Sequence, residues 1–333
     1  MQKILTVSIA AYNAENFIRK AINSLIDHSI MQYLEVFVVD DGGTDKTLDI
    51  AKEYEIKYPG VFYAVHKENG GYGSTVNYSV KYARGKYFKL LDGDDWYQTS
   101  ELVKLIEYLR KAESDVIVLP YLKGSGKDMR KISIKGEKAN GKLLIKDIGK
   151  LNTWIGNPSI CYKTSVLKSS NLELPKHMLY TDSIYSIIPF AYASTIEFLP
   201  FTVYCYQVGR NEQSVSVKNK IKHIDTLICI ANYLNDFFVK NRTNKNYEYI
   251  CRYAAINNSV VFRAMLSMER SKETLAKIIK FDQDINSVSL EIYREIANSS
   301  KTGRLIGIMR KTNYWAYWLY VISPLYRKQL REM

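Results

Sequence analysis

Two groups of acids follow directly on strongly apolar runs: Asp40 and Asp41 in VFVVDDGGTD, and Asp92, Asp94 and Asp95 in FKLLDGDDW. Carboxylates held together at the edge of a core repel one another and lose hydration, so they need hydrogen-bond donors or a cation beside them. A divalent metal is the simplest compensator. A lone DxD reads equally well as a solvated turn, but a second acidic strand end in the same half of the chain favours a shared ligand site.

The elements that must carry these acids are legible from periodicity. Apolar runs over residues 4–10, 34–39, 61–65, 87–91 and 116–120 read as buried strands. Between them, Phe17, Ile18, Ala21, Ile22, Leu25 and Ile26 recur at helical spacing with Asn13 in the N-cap position. A second helix follows Thr44 and Asp45, with Leu48, Ala51 and Tyr54 inward, and a third covers residues 74–83 before Gly85. Strand and helix in alternation predict an α/β fold with a doubly wound, mostly parallel, Rossmann-like sheet, and ligands bind such sheets beyond the carboxyl ends of the strands. The basic stretch 122–142 reads as turns and a hairpin, and a mixed region follows, with an apolar helix (Ile184, Ile187, Ile188, Ala191) and an aromatic strand at 203–206. Residues 218–299 read as helical throughout and contain no proline. The expected division is therefore 1–217, a helical region 218–300 and a tail 301–333.

Composition excludes several classes. With 333 residues and 47% apolar content the chain is too apolar for disorder. The net charge of +13 is concentrated: residues 122–142 hold a net +5 and residues 301–333 a net +6. A uniformly basic nucleic-acid binder would not have this distribution, so no nucleic-acid partner is expected. Four cysteines without a CxxC suggest neither a zinc knuckle nor a disulfide framework and fit a reducing compartment. The N-terminal run leads straight into the first strand without signal-peptide features, giving a cytoplasmic expectation. The uncharged run 312–326 is 15 residues long, short of the roughly 20 needed to span a bilayer.

The segments TVSIAAYNAENFI, VFVVDDGGTDKT, ENGGYGSTVNYSVKYARGKYF and LLDGDDW, in this order and spacing, resemble the family 2 inverting glycosyltransferases of GT-A fold. The resemblance is dense over residues 4–97 and looser to about 216. It implies a nucleotide-sugar donor, a Mn2+ or Mg2+ ion, and transfer with inversion at the anomeric carbon. By position, Tyr12 would stack near the nucleotide base and Asp41 would hydrogen-bond it. Asp92 would face the ribose or the metal's water shell, and Asp94 would bind the metal that bridges the diphosphate. Ala10, Asn13, Gly71, Asn77 and Gly93 complete the implied donor-binding set. Ala10 stands where the family commonly has proline, Val76 where it often has arginine, and Gly42-Gly43 where Gly-Ser is usual.

On the acceptor side the resemblance implies that Asp182, in HMLYTDSIYS, is the base that takes the acceptor proton. Thr181 replaces the glutamate that usually precedes it. A residue at the start of an apolar helix is also a simple helix-start carboxylate, and a helix N-terminus would keep it ionised. Arg210, in YQVGRNEQSVS, is the implied diphosphate contact, because a guanidinium can pair with two phosphate oxygens. The tryptophan of the processive QxxRW motif is missing, which argues for one sugar per encounter. Trp154 reads as an acceptor contact or as core, Asn157-Pro158 as acceptor region, and His177 as a metal ligand or a structural histidine.

The tail mixes Lys and Arg with Tyr314, Trp315, Tyr317, Trp318 and Tyr320. One reading is an in-plane helix on an anionic membrane at the inner face of the cell membrane, serving a lipid-linked acceptor. The other is a terminal helix docked on the body or in a homo-oligomer interface. The overall expectation is a transferase that adds one sugar to a glycan or lipid-linked acceptor in cell-surface polysaccharide or glycoconjugate synthesis. A non-catalytic scaffold would have no reason to keep Asp41, Asp92, Asp94 and Asp182 together. A nucleotidyltransferase would need a Gly-rich basic loop after the first strand, and an oxidoreductase a G-x-G-x-x-G.

Overall fold

The computed structural model describes residues 2–126, 128–134, 141–148, 154–209 and 216–320 and forms two compact units, Met1–Gly209 and Arg210–Met333. The first unit carries strands β1 (Leu5–Ala11), β2 (Leu34–Asp40), β3 (Phe62–His66), β4 (Tyr87–Asp92), β5 (Trp96–Tyr97), β6 (Val116–Val118), β7 (Tyr121–Gly124), β8 (Arg130–Ile132), β9 (Lys142–Leu144), β10 (Ile160–Lys163), β11 (Thr195–Phe198) and β12 (Tyr204–Gln207). Its helices are α1 (Ile18–Asn23), α2 (Thr47–Lys57), α3 (Tyr72–Tyr82), α4 (Thr99–Leu109), α5 (Ile145–Ile148), α6 (Thr164–Ser169), α7 (Asp182–Tyr185) and α8 (Ile188–Tyr192).

The main sheet has the order β3-β2-β1-β4-β10-β6-β11-β9. Strands β3, β2, β1 and β4 are parallel, as the alternating pattern predicts, and β10 then runs antiparallel to both β4 and β6. Strand β1 is buried on both faces, with Leu5, Val7 and Ile9 on one and Thr6 and Ser8 on the other all at 0% exposure. Helix α4 adds Leu102, Leu105, Ile106 and Leu109, the spacing of one helical face, all at 0% exposure. Each such side chain contributes about 1.5–3 kcal/mol on burial.

Three expectations are adjusted. Asn13 does not cap a helix: α1 begins at Ile18, and Asn13 sits in the left-handed region at φ 47°, a conformation that asparagine tolerates better than most residues. The apolar helix near 184–191 is two short helices, α7 and α8, the second with Pro189 in its first turn. The basic hairpin exists as β7 and β8, but it belongs to a second sheet of order β5-β12-β7-β8 that its two- to four-residue strands do not announce.

The second unit is helical: α9 (Val217–Lys222), α10 (Ile224–Lys240), α11 (Tyr247–Met265), α12 (Lys272–Val288), α13 (Leu290–Ser299), α14 (Lys301–Lys311) and α15 (Ala316–Tyr320). Ser216, Ser271, Ser289 and Ser300 cap α9, α12, α13 and α14, each accepting the backbone N–H three residues on. Helix α11 packs against α10, α12, α13 and α14. The tail segment is thus partly docked: Ile306 and Met309 of α14 are fully buried, and the Arg310 guanidinium binds buried Asp282 through Nε at 2.9 Å and Nη2 at 2.6 Å. Arg310 also lies 3.5 Å from the Tyr293 ring centroid, so this base faces protein, not lipid. Ile308, Trp315 and Leu319 are exposed. No helix among the described residues is long and apolar enough to cross a membrane.

Candidate active site

The chain crosses from β1 out to β3 and returns to β4 on the other side of β1, so the switch point of strand order lies between β1 and β4. The ladders align the ends there: Ala10 pairs with Asp92, and Ala11 with Asp40. Beyond the strands, Gly93 N–H donates to Ala10 O at 3.0 Å and Asp41 N–H to Ala11 O at 2.9 Å. A Cβ at Gly93 would lie 2.9 Å from Ala10 O, so only glycine lets the DGDD turn close so near to β1.

On the donor side, Tyr12 is 57% exposed at the end of β1, and Asn13 Oδ1 accepts from Thr44 N–H at 2.8 Å, joining two strand-end turns. Asp41 is buried, and its Oδ1 accepts from Lys67 Nζ at 2.7 Å, Gly70 N–H at 3.0 Å and Ser74 Oγ at 3.2 Å. Its Oδ2 accepts from Gly71 N–H at 2.7 Å. Burial opposes the charge, but Lys67 and these N–H groups outweigh it and hold the carboxyl below its ordinary value. Asp41 therefore organises the turn before α3. Gly71, at φ 78°, is part of that turn. Neighbouring Asp40 is engaged by His66 Nδ1 at 2.7 Å and Gly43 N–H at 3.3 Å.

The acids of β4 meet an acid from ninety residues further along the chain. Asp92 is raised by burial first and then by the charges of Asp94 and Asp182. The Tyr72 hydroxyl, from the first residue of α3, lies beside Asp92 and Asp182, whose charges add to burial in raising it. Asn157 Nδ2 donates to that hydroxyl oxygen at 3.2 Å. Asp92 Oδ1 is buried without a hydrogen-bond partner, as is Oδ1 of Asn157. Asp95 is turned into the protein, where its oxygens accept Tyr204 O–H at 2.6 Å and Gln207 N–H at 2.8 Å. Burial and the charges of Asp92 and Asp94 raise it. Tyr206, two residues along β12, is raised by burial and by the same acids together with Asp182.

Asp182 opens α7, a single turn of four residues, so the expected dipole of a long helix does not act on it. It is reached through a loop with two left-handed residues, His177 and Tyr180. Asn77, expected on the donor, points into this loop: its Oδ1 accepts from Leu174 N–H at 2.9 Å and its Nδ2 donates to Leu174 O at 2.8 Å. Trp154 is 43% exposed rather than core. Arg210 lies outside the described residues.

The structure thus brings Asp92, Asp94 and Asp182 together and lines up Ala10, Tyr12, Asn13, Asp41, Gly71 and Gly93 along the same edge. Sequence reasoning missed Tyr72, Tyr204 and Tyr206. The period-two spacing of Tyr204 and Tyr206 was the available signal, since it puts both rings on one face of a strand.

Two carboxylates, one of them with an orphaned buried oxygen, suit a hard divalent cation. Among the described residues no group of three or more His, Cys, Asp or Glu could hold a metal alone. A cation held by Asp92 and Asp94 would therefore complete its shell from a diphosphate and water.

Residues 6–168 match Glycosyl transferase family 2. A poly(ribitol-phosphate) beta-glucosyltransferase of Bacillus spizizenii is 28% identical over 217 residues, covering 64% of this chain and 33% of that protein. The chain spans about a third of the length of several such curated relatives. Among solved structures, Staphylococcus aureus TarS 1–349 in complex with UDP-GlcNAc superposes with a TM-score of 0.63 at 20% identity, over 93% of this chain and 92% of that one. The mannosyltransferase PcManGT of Pyrobaculum calidifontis, in complex with GDP-Man and Mn2+, superposes with a TM-score of 0.52 at 13% identity, over 93% and 88%. The fold is GT-A.

Proposed function

We propose that this protein is a metal-dependent, inverting glycosyltransferase that moves one sugar from a nucleotide-sugar, a UDP-sugar in the first instance, to a hydroxyl of a cell-surface glycan such as a polyol-phosphate polymer. The observation that carries the reading is the convergence of Asp92 and Asp94 with Asp182 at the sheet's switch point. The relatives' names support the acceptor class, and the complexes with UDP-GlcNAc and with GDP-Man and Mn2+ support a nucleotide-sugar donor.

Tyr12 offers an exposed ring to stack on the base, and Asp41 Oδ2 keeps a lone pair for it. Asp182 takes the acceptor hydroxyl proton as that oxygen bonds to the anomeric carbon and the bond from this carbon to the diphosphate oxygen breaks. A cation on Asp92 and Asp94 would stabilise the charge that builds on the departing nucleoside diphosphate. Tyr72, held by Asn157, stands beside Asp92, whose buried Oδ1 is left for a ligand. The exposed Ile308, Trp315 and Leu319, flanked by Lys301, Arg304 and Lys311, would rest on an anionic membrane surface, read out by liposome co-sedimentation.

The test is nucleotide release from UDP-, GDP- and TDP-sugars with and without Mn2+, using Asp94→Asn as control. Metal-dependent release of one nucleotide, absent in the variant, supports the reading. Neither release nor calorimetric binding of any nucleotide overturns it.

A further inference from the structure

The two-way bridge between the Asn77 amide and Leu174 has the bonding pattern of a strand partner, but a helix side chain supplies it across 97 positions of sequence. Other ties follow at once. His177 N–H donates to Gly70 O at 2.6 Å. A Cβ at Gly73 would lie 2.6 Å from Pro175 O, and one at Gly71 3.2 Å from His177 N, so both glycines admit the loop against α3. Gly70 and Gly71 are in turn held by Asp41. The loop 174–181 ends at Asp182 and includes no strand or helix of its own. Its place is set by α3 and the turn before it.

We infer that Asn77 is a positioning residue for glycosyl transfer: it clamps the loop 174–181 onto α3, so that Asp182 stands with Asp92 and Asp94, and it leaves the nucleotide to other groups. The inference rests on Asp182 being the base. Both bridge bonds are of ordinary length, and they consume the carbonyl oxygen of the amide and one of its two N–H hydrogens. Helix α3 then touches the acids twice, directly through Tyr72 and indirectly through this loop.

Two variants of the full chain test it. Asn77→Ala removes both bonds. Asn77→Asp keeps the acceptor for Leu174 N–H but sets a carboxylate against Leu174 O. Three quantities are read: nucleotide release with Mn2+ from UDP-, GDP- and TDP-sugars, calorimetric affinity for the nucleotide the wild type releases, and hydrogen exchange over residues 174–183. Asn77→Ala should lose about 30-fold in turnover while its nucleotide affinity stays within about twofold of wild type. Exchange should quicken in 174–183 and not in β1 or β2. Asn77→Asp, which keeps one of the two bonds and opposes the other, should be impaired near pH 8 with nucleotide affinity unchanged and exchange in 174–183 quickened. These readouts carry the test if Asn77→Ala does not fold.

Nucleotide affinity falling in step with turnover would return Asn77 to the donor and overturn the inference. So would unchanged turnover and exchange. If Asp182→Asn keeps full turnover, or the wild type releases nothing, the functional reading fails instead, and exchange in 174–183 still decides whether Asn77 clamps the loop.

Discussion

Asn157 Nδ2 donates to the Tyr72 hydroxyl oxygen at 3.2 Å, and the same hydroxyl lies beside Asp92. A residue on the acceptor side therefore fixes a tyrosine that stands beside a metal-side acid. Tyr72→Phe should lower turnover about 10- to 100-fold and, by leaving a buried amide hydrogen unpaired, cost about 1–3 kcal/mol in urea unfolding. Wild-type turnover in this variant would contradict the arrangement.

Asp94→Asn removes one of the two carboxylates available to a cation. Mn2+-stimulated nucleotide binding should weaken at least about tenfold and transfer should fall by about a thousandfold. Calorimetry with and without Mn2+ checks the first effect and nucleotide release the second.

Asp182→Asn keeps the side-chain size and removes the proton acceptor. Transfer should drop by at least about 100-fold, with nucleotide affinity unchanged. Loss of affinity to the same extent would place Asp182 on the donor.

Lys89 is fully buried, donating to Pro158 O at 2.7 Å and Ile160 O at 3.1 Å, and burial lowers it from an ordinary 10.5 to about 8. Below pH 8 the ammonium is protonated whether folded or unfolded, and its burial penalty is constant. Between about 8 and 10.5 the unfolded chain holds a proton that the folded chain has released, so stability rises with pH. The neutral amine still has two hydrogens for its two carbonyls. The stability advantage of wild type over Lys89→Met should thus grow by about 2–3 kcal/mol between pH 7 and pH 10. Urea unfolding of both proteins at each pH checks this; parallel curves would refute it.

Arg310→Met leaves Asp282, 1% exposed, with the Tyr314 hydroxyl and no cation. The loss should be about 3–5 kcal/mol, and Asp282→Asn in the same chain should return part of it. Chemical denaturation followed by tryptophan fluorescence, with Trp315 and Trp318 close to the pair in sequence, reads the change.

The parallel half of the sheet was legible because β1, β2 and β4 are predominantly apolar runs that end in acids or Tyr-Asn. Asp92 and Asp94 were visible for the same reason. The direction in which a polar side chain turns was not. Asn77 sits in a helical pattern where an amide reads as a polar face, and its partner Leu174 offers only backbone, which has no sequence signature. Asn13 suits both an N-cap and a left-handed turn, and residue type alone does not separate them. The aromatic strand and the basic hairpin of the second sheet were legible, but runs of two to four residues do not say which strands pair.

The reversal of strand direction at β10 has a consequence for how such a protein diversifies. Its pairing with β4 is brief, Tyr162 against Phe88 and Lys163 against Tyr87. Everything proposed to read the nucleotide lies before this seam, apart from Arg210, and everything proposed to face the acceptor lies after it. A chimera joined between α4 and β6 would take the donor contacts before this seam from one parent and the acceptor side from the other, and an asparagine at position 77 of the first could still bridge the backbone at position 174 of the second.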